Sequence, residues 1–137
     1  MSSATVQLGL AEKTEQGKVL IRACLSGTFG ANDIKLLSAW AEGLNKAVEK
    51  AAEGRHHSVC ILIDISTLEI YTDPSIITML SDLMKKDDPF VCSTATYGGN
   101  ETHEMVQQII SGMSNRDNIK NFKSENQAME WLREGGK

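Results

Sequence analysis

The stretch that most constrains the fold is residues 58–84, which read SVCILIDISTLEIYTDPSIITMLSDLM. Within it, residues 59–63 form an apolar run of strand length without alternating polar side chains. Such a run is typical of a strand that is buried on both faces, as in a parallel sheet. The run ends at Asp64, and Asp73-Pro74-Ser75 follows after eight intervening residues. This order predicts a strand, an exposed loop and then a helix.

The start of that helix has strong local signals. Asp is a favourable N-cap residue, and Pro suits the first helical position because its missing N–H would have no partner there. Apolar residues then recur at helical spacing at Ile76, Ile77, Leu80, Leu83 and Met84. Because sites in open α/β sheets lie beyond the carboxyl ends of strands, we expect any functional residues on or beside the loop that follows Asp64.

The rest of the chain alternates strand and helix patterns. Strands are predicted for residues 5–12, 18–27, 90–97 and 119–122. Helices are predicted for residues 34–52 and 101–113 and for the segment after Ser124. A short connection between the first two strands predicts an antiparallel hairpin. The order β-β-α-β-α-β-α-β-α predicts a single α/β domain over residues 1–137, with a mixed, mostly parallel sheet and about four helices.

Composition narrows the class of protein. Apolar residues make up 41% of the chain and charged residues 23%, which is ordinary for a globular protein. The net charge of −4 provides no electrostatic footprint for nucleic acid. No apolar run approaches the roughly 20 residues that span a bilayer. The first ten residues lack the basic and apolar regions of a signal peptide, so we expect a cytoplasmic protein without a membrane span.

The cysteines and histidines of this chain do not have the spacing of known metal-binding or catalytic motifs. The chain has three cysteines: Cys24, Cys60 and Cys92. They lie in different predicted strands, and their odd number argues against a disulfide framework, so we expect buried free thiols. His56 and His57 lie in a polar turn, and His103 lies on a helix without the HExxH pattern. We therefore expect no metal, no cofactor and no enzymatic activity.

Two stretches carry a resemblance to a known family. Residues 61–66, ILIDIS, followed by residues 73–76, Asp-Pro-Ser-Ile, resemble the signature of the STAS superfamily, in which an apolar strand ends in Asp and Asp-Ser-Ser-Gly opens a helix. Residues 118–132, NIKNFKSENQAMEWL, resemble the closing strand and helix of a SpoIIAA-like subgroup. The element order agrees with both. The resemblance implies a SpoIIAA-like fold and a bacterial regulator related to the anti-sigma-factor antagonists.

The resemblance also implies a binding partner and a modification. The partner would be a protein such as an anti-sigma factor, a serine-kinase-like protein or another regulator. The second serine of the family's motif is the phosphorylation site of the antagonists, and Ser75 matches that position. This chain departs from the motif at Pro74 and Ile76, which replace its first serine and its glycine. A rival function implied by the same fold is a carrier that holds a lipid or another small apolar ligand between sheet and helices.

Ser75 is the candidate phosphoacceptor. In the first helical turn a phosphate would face free backbone N–H groups and the positive end of the helix dipole. It would add about −1.5 to −2 charges, which would repel an acidic partner surface or recruit a basic one. The alternative interpretation is a plain first-turn serine beside a capping Asp-Pro. Ser66 and Thr72 are secondary phosphoacceptor candidates.

The candidate interaction loop surrounds Ser75 in sequence. Its members are Asp64, Ser66, Leu68, Ile70, Tyr71, Thr72 and Asp73. Asp64 is either a functional carboxylate or an acceptor for N–H groups of the loop. Ile70 and Tyr71 either anchor a partner from the loop tip or fold back over the end of the sheet.

Apolar residues are also expected on the helix at 101–113, and any helix face left exposed by the core could form a homodimer. The expected buried set of that helix is Met105, Val106, Ile109, Ile110 and Met113.

Overall fold

The alternation of strands and helices builds a sheet with helices on both of its faces. A computed structural model describes residues 3–14, 17–71 and 73–135. In chain order the elements of these residues are β1 (Thr5–Lys13), β2 (Val19–Phe29), a short 3₁₀ turn (Ala31–Asp33), α1 (Ile34–Ala52), β3 (Val59–Asp64), β4 (Leu68–Tyr71), α2 (Pro74–Asp87), β5 (Val91–Tyr97), α3 (Glu101–Ser114), β6 (Ile119–Phe122) and α4 (Glu125–Arg133).

Strand pairing confirms the predicted fold class. The strand order is β1-β2-β3-β5-β6, with β4 beside the far end of β2. Only β1 and β2 are antiparallel in the described sheet, as expected for a hairpin with a short connection. The other pairs are parallel because the segment between the two strands contains a helix. That segment returns the chain to the end of the sheet at which the first strand of the pair began.

The central strand β3 is buried on both faces, as its continuous apolar run predicts. Val59, Ile61 and Ile63 face one core, while Cys60 and Leu62 face a second one. We call the side of Val59 and Ile61 the first face and the side of Cys60 and Leu62 the second face. Successive side chains of a strand point to opposite faces of the sheet. A strand whose side chains are all apolar is therefore buried only if both faces are covered.

Three helices cover the first face. Helices α1 and α2 pack together, as do α2 and α3, and their apolar sides meet the sheet. Trp40 of α1 is 5% exposed, and its indole N–H donates to the carbonyl of Gln7 at 3.0 Å. This bond ties α1 to the edge strand β1 and satisfies the one polar group of a large buried side chain.

The second face is covered by α4. Ser124 caps this helix by accepting a hydrogen bond from the N–H of Gln127. Ala128, Trp131 and Leu132 of α4 pack against the sheet, and the ring of Trp131 lies 5.5 Å from that of Phe122. The second core is therefore built on a single short helix.

Helix α3 differs from expectation. Ile110 is buried and Val106 is half-buried, but the predicted burial of three neighbours is wrong, since Met105, Ile109 and Met113 are 63%, 45% and 45% exposed. The helix rests on α2 and β6 at one end of the fold. It therefore buries one narrow side, and its second apolar row stays at the surface.

A buried ion pair joins the layers beneath α2 and α3. Arg116 follows α3 and donates to the carboxylate of Asp87 at 2.7 Å and to the carbonyl of Met84 at 3.2 Å. Both charged side chains are at most 1% exposed. Burial raises the pKa of Asp87 to about 7, against the opposing effect of the Arg116 charge. The second carboxylate oxygen of Asp87 is buried without a hydrogen-bond partner.

No helix among the described residues is both long enough and apolar enough to cross a membrane.

Candidate functional site

The carboxyl end of β3 opens into a tight polar turn. The carboxylate of Asp64 accepts hydrogen bonds from the backbone N–H of Ser66 at 2.8 Å and from its hydroxyl at 2.6 Å. Asp side chains commonly close such turns on the residue two positions later. Asp64 is thus engaged locally by the turn, and Ser66 is exposed at its apex.

The segment after this turn is a strand and not the loop that the sequence predicts. Residues of β4 pair in parallel with Gly27, Thr28 and Phe29 at the end of β2. The placement of Leu68 on an exposed loop is wrong, because its side chain is 6% exposed and belongs to the first-face core. An added strand satisfies backbone groups that a loop would leave to water.

Ile70 and Tyr71 point to different surroundings. Ile70 is 43% exposed at the end of the sheet. Tyr71 folds back, and its ring lies 6.0 Å from the ring of Phe29. Burial raises the pKa of the Tyr71 phenol. Of these two side chains, Ile70 is therefore the one that offers apolar surface to a partner.

Asp73 caps α2 as its sequence predicts. Its carboxylate accepts from the backbone N–H of Ser75 at 2.9 Å and from the Ser75 hydroxyl at 2.8 Å, and Pro74 occupies the first helical position. The backbone bond, and then the hydroxyl bond, lower the pKa of Asp73. Ser75 is exposed, with its hydroxyl at the start of a 14-residue helix. The candidate Thr72 lies outside the described residues.

The neighbouring loop after β5 holds this region in place. Gly98 has a φ of +88°, and a Cβ at that position would lie 2.6 Å from the Cβ of Ser66. Only glycine fits both this backbone conformation and this close approach. The close packing places the Ser66 turn directly against the β5–α3 connection.

His103 connects two elements, a role that sequence reasoning did not predict. Its Nδ1 accepts from the backbone N–H of Asn100 at 3.1 Å, so Nε2 carries the proton and donates to the carbonyl of Glu69 at 3.0 Å. The side chain is 6% exposed. It therefore fastens the start of α3 to β4, and the signal in the sequence is the Asn100 cap three residues before it.

An open groove runs along α1 and α2 beside the candidate phosphoacceptor. It has a volume of about 350 Å³. Its lining residues are Ser38, Ala41, Glu42, Asn45, Ser75, Thr78, Met79, Asp82, Leu83 and Lys86. Ser75 stands at the α2 end that is nearest the capping Asp73, so a change in charge there would alter the groove directly.

The space between the first face and α3 bears on the rival function. A cavity of about 60 Å³ lies there with largely apolar walls, among them Ile63, Val106 and Ile110. A cavity of about 150 Å³ is known to hold a molecule the size of benzene. The present cavity is well below that size, and it does not accommodate a lipid chain.

The histidine turn shows no metal-binding arrangement. His56 and His57 are exposed, and their ring centroids are 6.5 Å apart. Within residues 3–14, 17–71 and 73–135, no cluster of three His, Cys, Asp or Glu side chains could hold a metal ion.

Comparison with solved structures identifies the fold. An uncharacterised protein with a SpoIIAA-like fold from Shewanella loihica is similar over 96% of this chain and 98% of its own, at a TM-score of 0.66 and 19% identity. The unphosphorylated anti-sigma-factor antagonist SpoIIAA is similar over 94% and 98%, at 0.56 and 17%. Phosphorylated SpoIIAA, the Bacillus cell fate determinant, is similar over 94% and 100%, at 0.54 and 18%.

These similarities show that the chain has a SpoIIAA-like fold, as its element order and central motif predict. No protein-family model and no curated protein matches the sequence.

Proposed function

We propose that this protein is a non-enzymatic regulatory module that binds a partner protein through the β4–α2 surface and is switched by phosphorylation of Ser75. We define the β4–α2 surface as Ile70, Asp73, Ser75 and the groove between α1 and α2. The observation that carries the proposal is the exposed Ser75 hydroxyl at the amino end of α2, on a fold similar to that of SpoIIAA in its phosphorylated form.

The local chemistry explains how a phosphate would act. The Ser75 hydroxyl now donates to Asp73, and phosphorylation would replace this donor with a dianionic group beside a carboxylate. The two negative groups would separate, while phosphate oxygens compete for the N–H groups of the first helical turn. The switch would therefore change both the charge and the capping geometry at one end of the groove.

The charges of the surface indicate the kind of partner. Glu42 and Asp82 line the groove, and Asp73 stands at its α2 end. Lys86 contributes one positive charge at the far end. A partner with a basic patch complements this acidic surface, with Ile70 as an apolar contact at its edge.

The direct test is the phosphorylation state in the protein's own host. The chain is purified from that host, its intact mass is measured, and the modified peptide is mapped. We expect a phosphate-sized increase at Ser75 that disappears in Ser75→Ala. Ser66→Ala is the matched control, because Ser66 makes the same pair of bonds to an Asp two residues before it and should leave the phosphate in place. An unmodified chain, or a phosphate at another residue, contradicts the switch.

Partner binding is tested separately with a photo-reactive residue. Replacing Ile70 places the probe on the proposed surface, and replacing Leu10, which is 89% exposed on β1, places it elsewhere. We expect a cross-linked protein from host cells at position 70 that is absent at position 10 and changes in yield with Ser75→Glu. Equal cross-linking at both positions, or no effect of Ser75→Glu, would argue against this surface.

A further inference from the structure

Two of the three cysteines meet inside the second face. Cys60 of β3 and Cys92 of β5 have their sulfur atoms 3.0 Å apart. Their strands are hydrogen-bonded neighbours, and neighbouring strands lie about 4.8 Å apart, within the range of Cα separations that disulfides span. The sulfurs would need to approach by only about 1 Å to reach the roughly 2.05 Å of a disulfide bond.

A bulge brings Cys92 to this position. Val59 pairs with Val91, but Cys60 pairs with Ser93, so Cys92 is the extra residue of β5. Bulges re-aim side chains and interrupt regular pairing. Here Cys92 and Ser93 both lie against Cys60, with the Ser93 hydroxyl oxygen 3.6 Å from the sulfur of Cys92 and 4.0 Å from that of Cys60.

The two thiols differ in access and in acidity. Cys60 is 2% exposed, whereas Cys92 is half-buried. A hydrogen bond from the Cys60 thiol lowers the pKa of Cys92, and the positive charge of Lys18 acts in the same direction. The pKa of Cys60 is correspondingly raised, since Cys92 accepts its proton and burial disfavours its thiolate. One accessible nucleophilic sulfur thus lies beside one protected thiol.

A narrow crevice lies beside Cys60. Its volume is about 20 Å³, and its walls include Lys18, Met129 and Arg133. This is room for roughly one water-sized molecule. The positive charge of Lys18 at this crevice favours the thiolate form of both cysteines.

We propose that Cys60 and Cys92 form a peroxide-reactive thiol pair, in which Cys92 is the attacking sulfur and Cys60 is the resolving sulfur. The Cys92 thiolate attacks one oxygen of hydrogen peroxide, the O–O bond breaks, and the leaving hydroxide takes a proton to become water. The Cys60 sulfur then displaces the hydroxyl of the Cys92 sulfenic acid and releases a second water. In sum, two thiols are oxidised to one disulfide while one peroxide is reduced to two waters.

The site is independent of the proposed switch. Cys60 and Cys92 lie near the amino ends of β3 and β5, whereas Asp64 and Ser75 lie at and beyond the carboxyl end of β3. A disulfide here would join two strands of the sheet without touching the β4–α2 surface. Its failure or success therefore leaves the proposed function untouched.

The test treats the reduced full-length protein with hydrogen peroxide. Remaining thiols are alkylated after denaturation, and intact mass and peptide mapping locate the modified residues. We expect an intramolecular link between Cys60 and Cys92, with Cys24 still alkylated. Cys24 is the internal reference. The free thiols of Cys60 and Cys92 should be lost at a rate about tenfold above that of Cys24. Three free thiols after treatment, or a link that includes Cys24, would overturn the proposal.

Variants assign the two roles. Cys92→Ala should abolish the link and leave Cys60 reduced. Cys60→Ala should abolish the link but leave a sulfenic acid on Cys92 that dimedone captures. Cys24→Ala should retain the link in full. Because a core substitution can disturb folding, each variant is first compared with the unchanged protein by circular dichroism, and Cys→Ser at the same position replaces any variant that is misfolded. A sulfenic acid on Cys60 in Cys92→Ala would refute the assigned order of attack.

Discussion

The two faces of the sheet are covered unequally. The first face carries three helices, a broad apolar core and a buried ion pair, whereas the second carries the short helix α4 and a smaller core. The burial of two arginines shows this difference between the faces. Arg116 is sealed beneath α2 and α3, while Arg22 on the second face is 40% exposed where it meets Glu125 of α4 at 3.0 Å. The first face is therefore covered by several elements that pack against one another, whereas the covering of the second face depends on a single helix.

The largest expected effect comes from Arg116→Met. Removing the guanidinium leaves Asp87 buried without a compensating charge, and such losses cost about 3–5 kcal/mol. Urea denaturation of this variant is compared with that of Arg22→Met, which breaks the exposed pairs of Arg22 with Glu12 and Glu125 and should cost about 0–1 kcal/mol. Equal costs for the two substitutions would erase the distinction between the faces.

A second pair of variants tests whether the faces unfold together. Ile61→Ala and Leu62→Ala remove neighbouring β3 side chains, 0% and 1% exposed, from opposite cores, at a cost of about 2–5 kcal/mol each. Trp131→Phe leaves Trp40 as the fluorescent reporter of the first face, and Trp40→Phe leaves Trp131 for the second.

With Leu62→Ala, we expect the Trp131 transition to occur at a lower urea concentration than the Trp40 transition, because α4 has only the second core to hold it. With Ile61→Ala, both transitions should move together. Coincident transitions in both variants would show that the unequal faces form one cooperative unit.

The pH dependence of stability should reflect Asp87. Its folded pKa is raised to about 7, so the folded state binds its proton more tightly than the unfolded state does. The stabilising contribution of this proton is present below the ordinary Asp range and is lost as pH rises toward 7. Between about pH 5 and about pH 8 the unfolding free energy should fall by about 1–3 kcal/mol more in the unchanged protein than in Asp87→Asn.

Parallel pH curves for those two proteins would contradict the raised pKa. Glu125→Gln is the control on the second face, because it removes a carboxylate from a side chain that is 47% exposed and leaves the buried Asp87–Arg116 pair intact, so the fall assigned to Asp87 should remain.

The smallest expected effect concerns two similar Asp-x-Ser turns. Asp64 and Asp73 each accept two bonds from a Ser two residues later, but only Asp73 caps a helix. Asp73→Ala should destabilise the protein by about 1 kcal/mol, whereas Asp73→Asn should cost little because the acceptor oxygen is kept. Thermal unfolding resolves the two, and a smaller loss is expected for Asp64→Ala, whose turn ends a strand. A larger loss at Asp64 would reverse this order.

Local patterns in the sequence predicted much of the fold. The unbroken apolar run of β3, the hairpin and the Asp73-Pro74 start of α2 all rest on short-range rules, and each is present. Strand β4 escaped prediction because its partner is the end of β2, about forty residues away in the chain. The exposed row of Met105, Ile109 and Met113 escaped because helical spacing marks an apolar side but does not specify what lies opposite.

The sequence by itself determined the order and type of the helices, of the strands other than β4, and the cap at Asp73, because these depend on backbone preferences and on neighbours within a few residues. Only the tertiary structure decided that Leu68 is buried while Ile70 is exposed, and that Cys60 meets Cys92. It likewise placed Arg116 on Asp87. These contacts join residues that are far apart in the chain, and they follow from strand register and helix packing, which the spacing of residues along a single sequence does not specify.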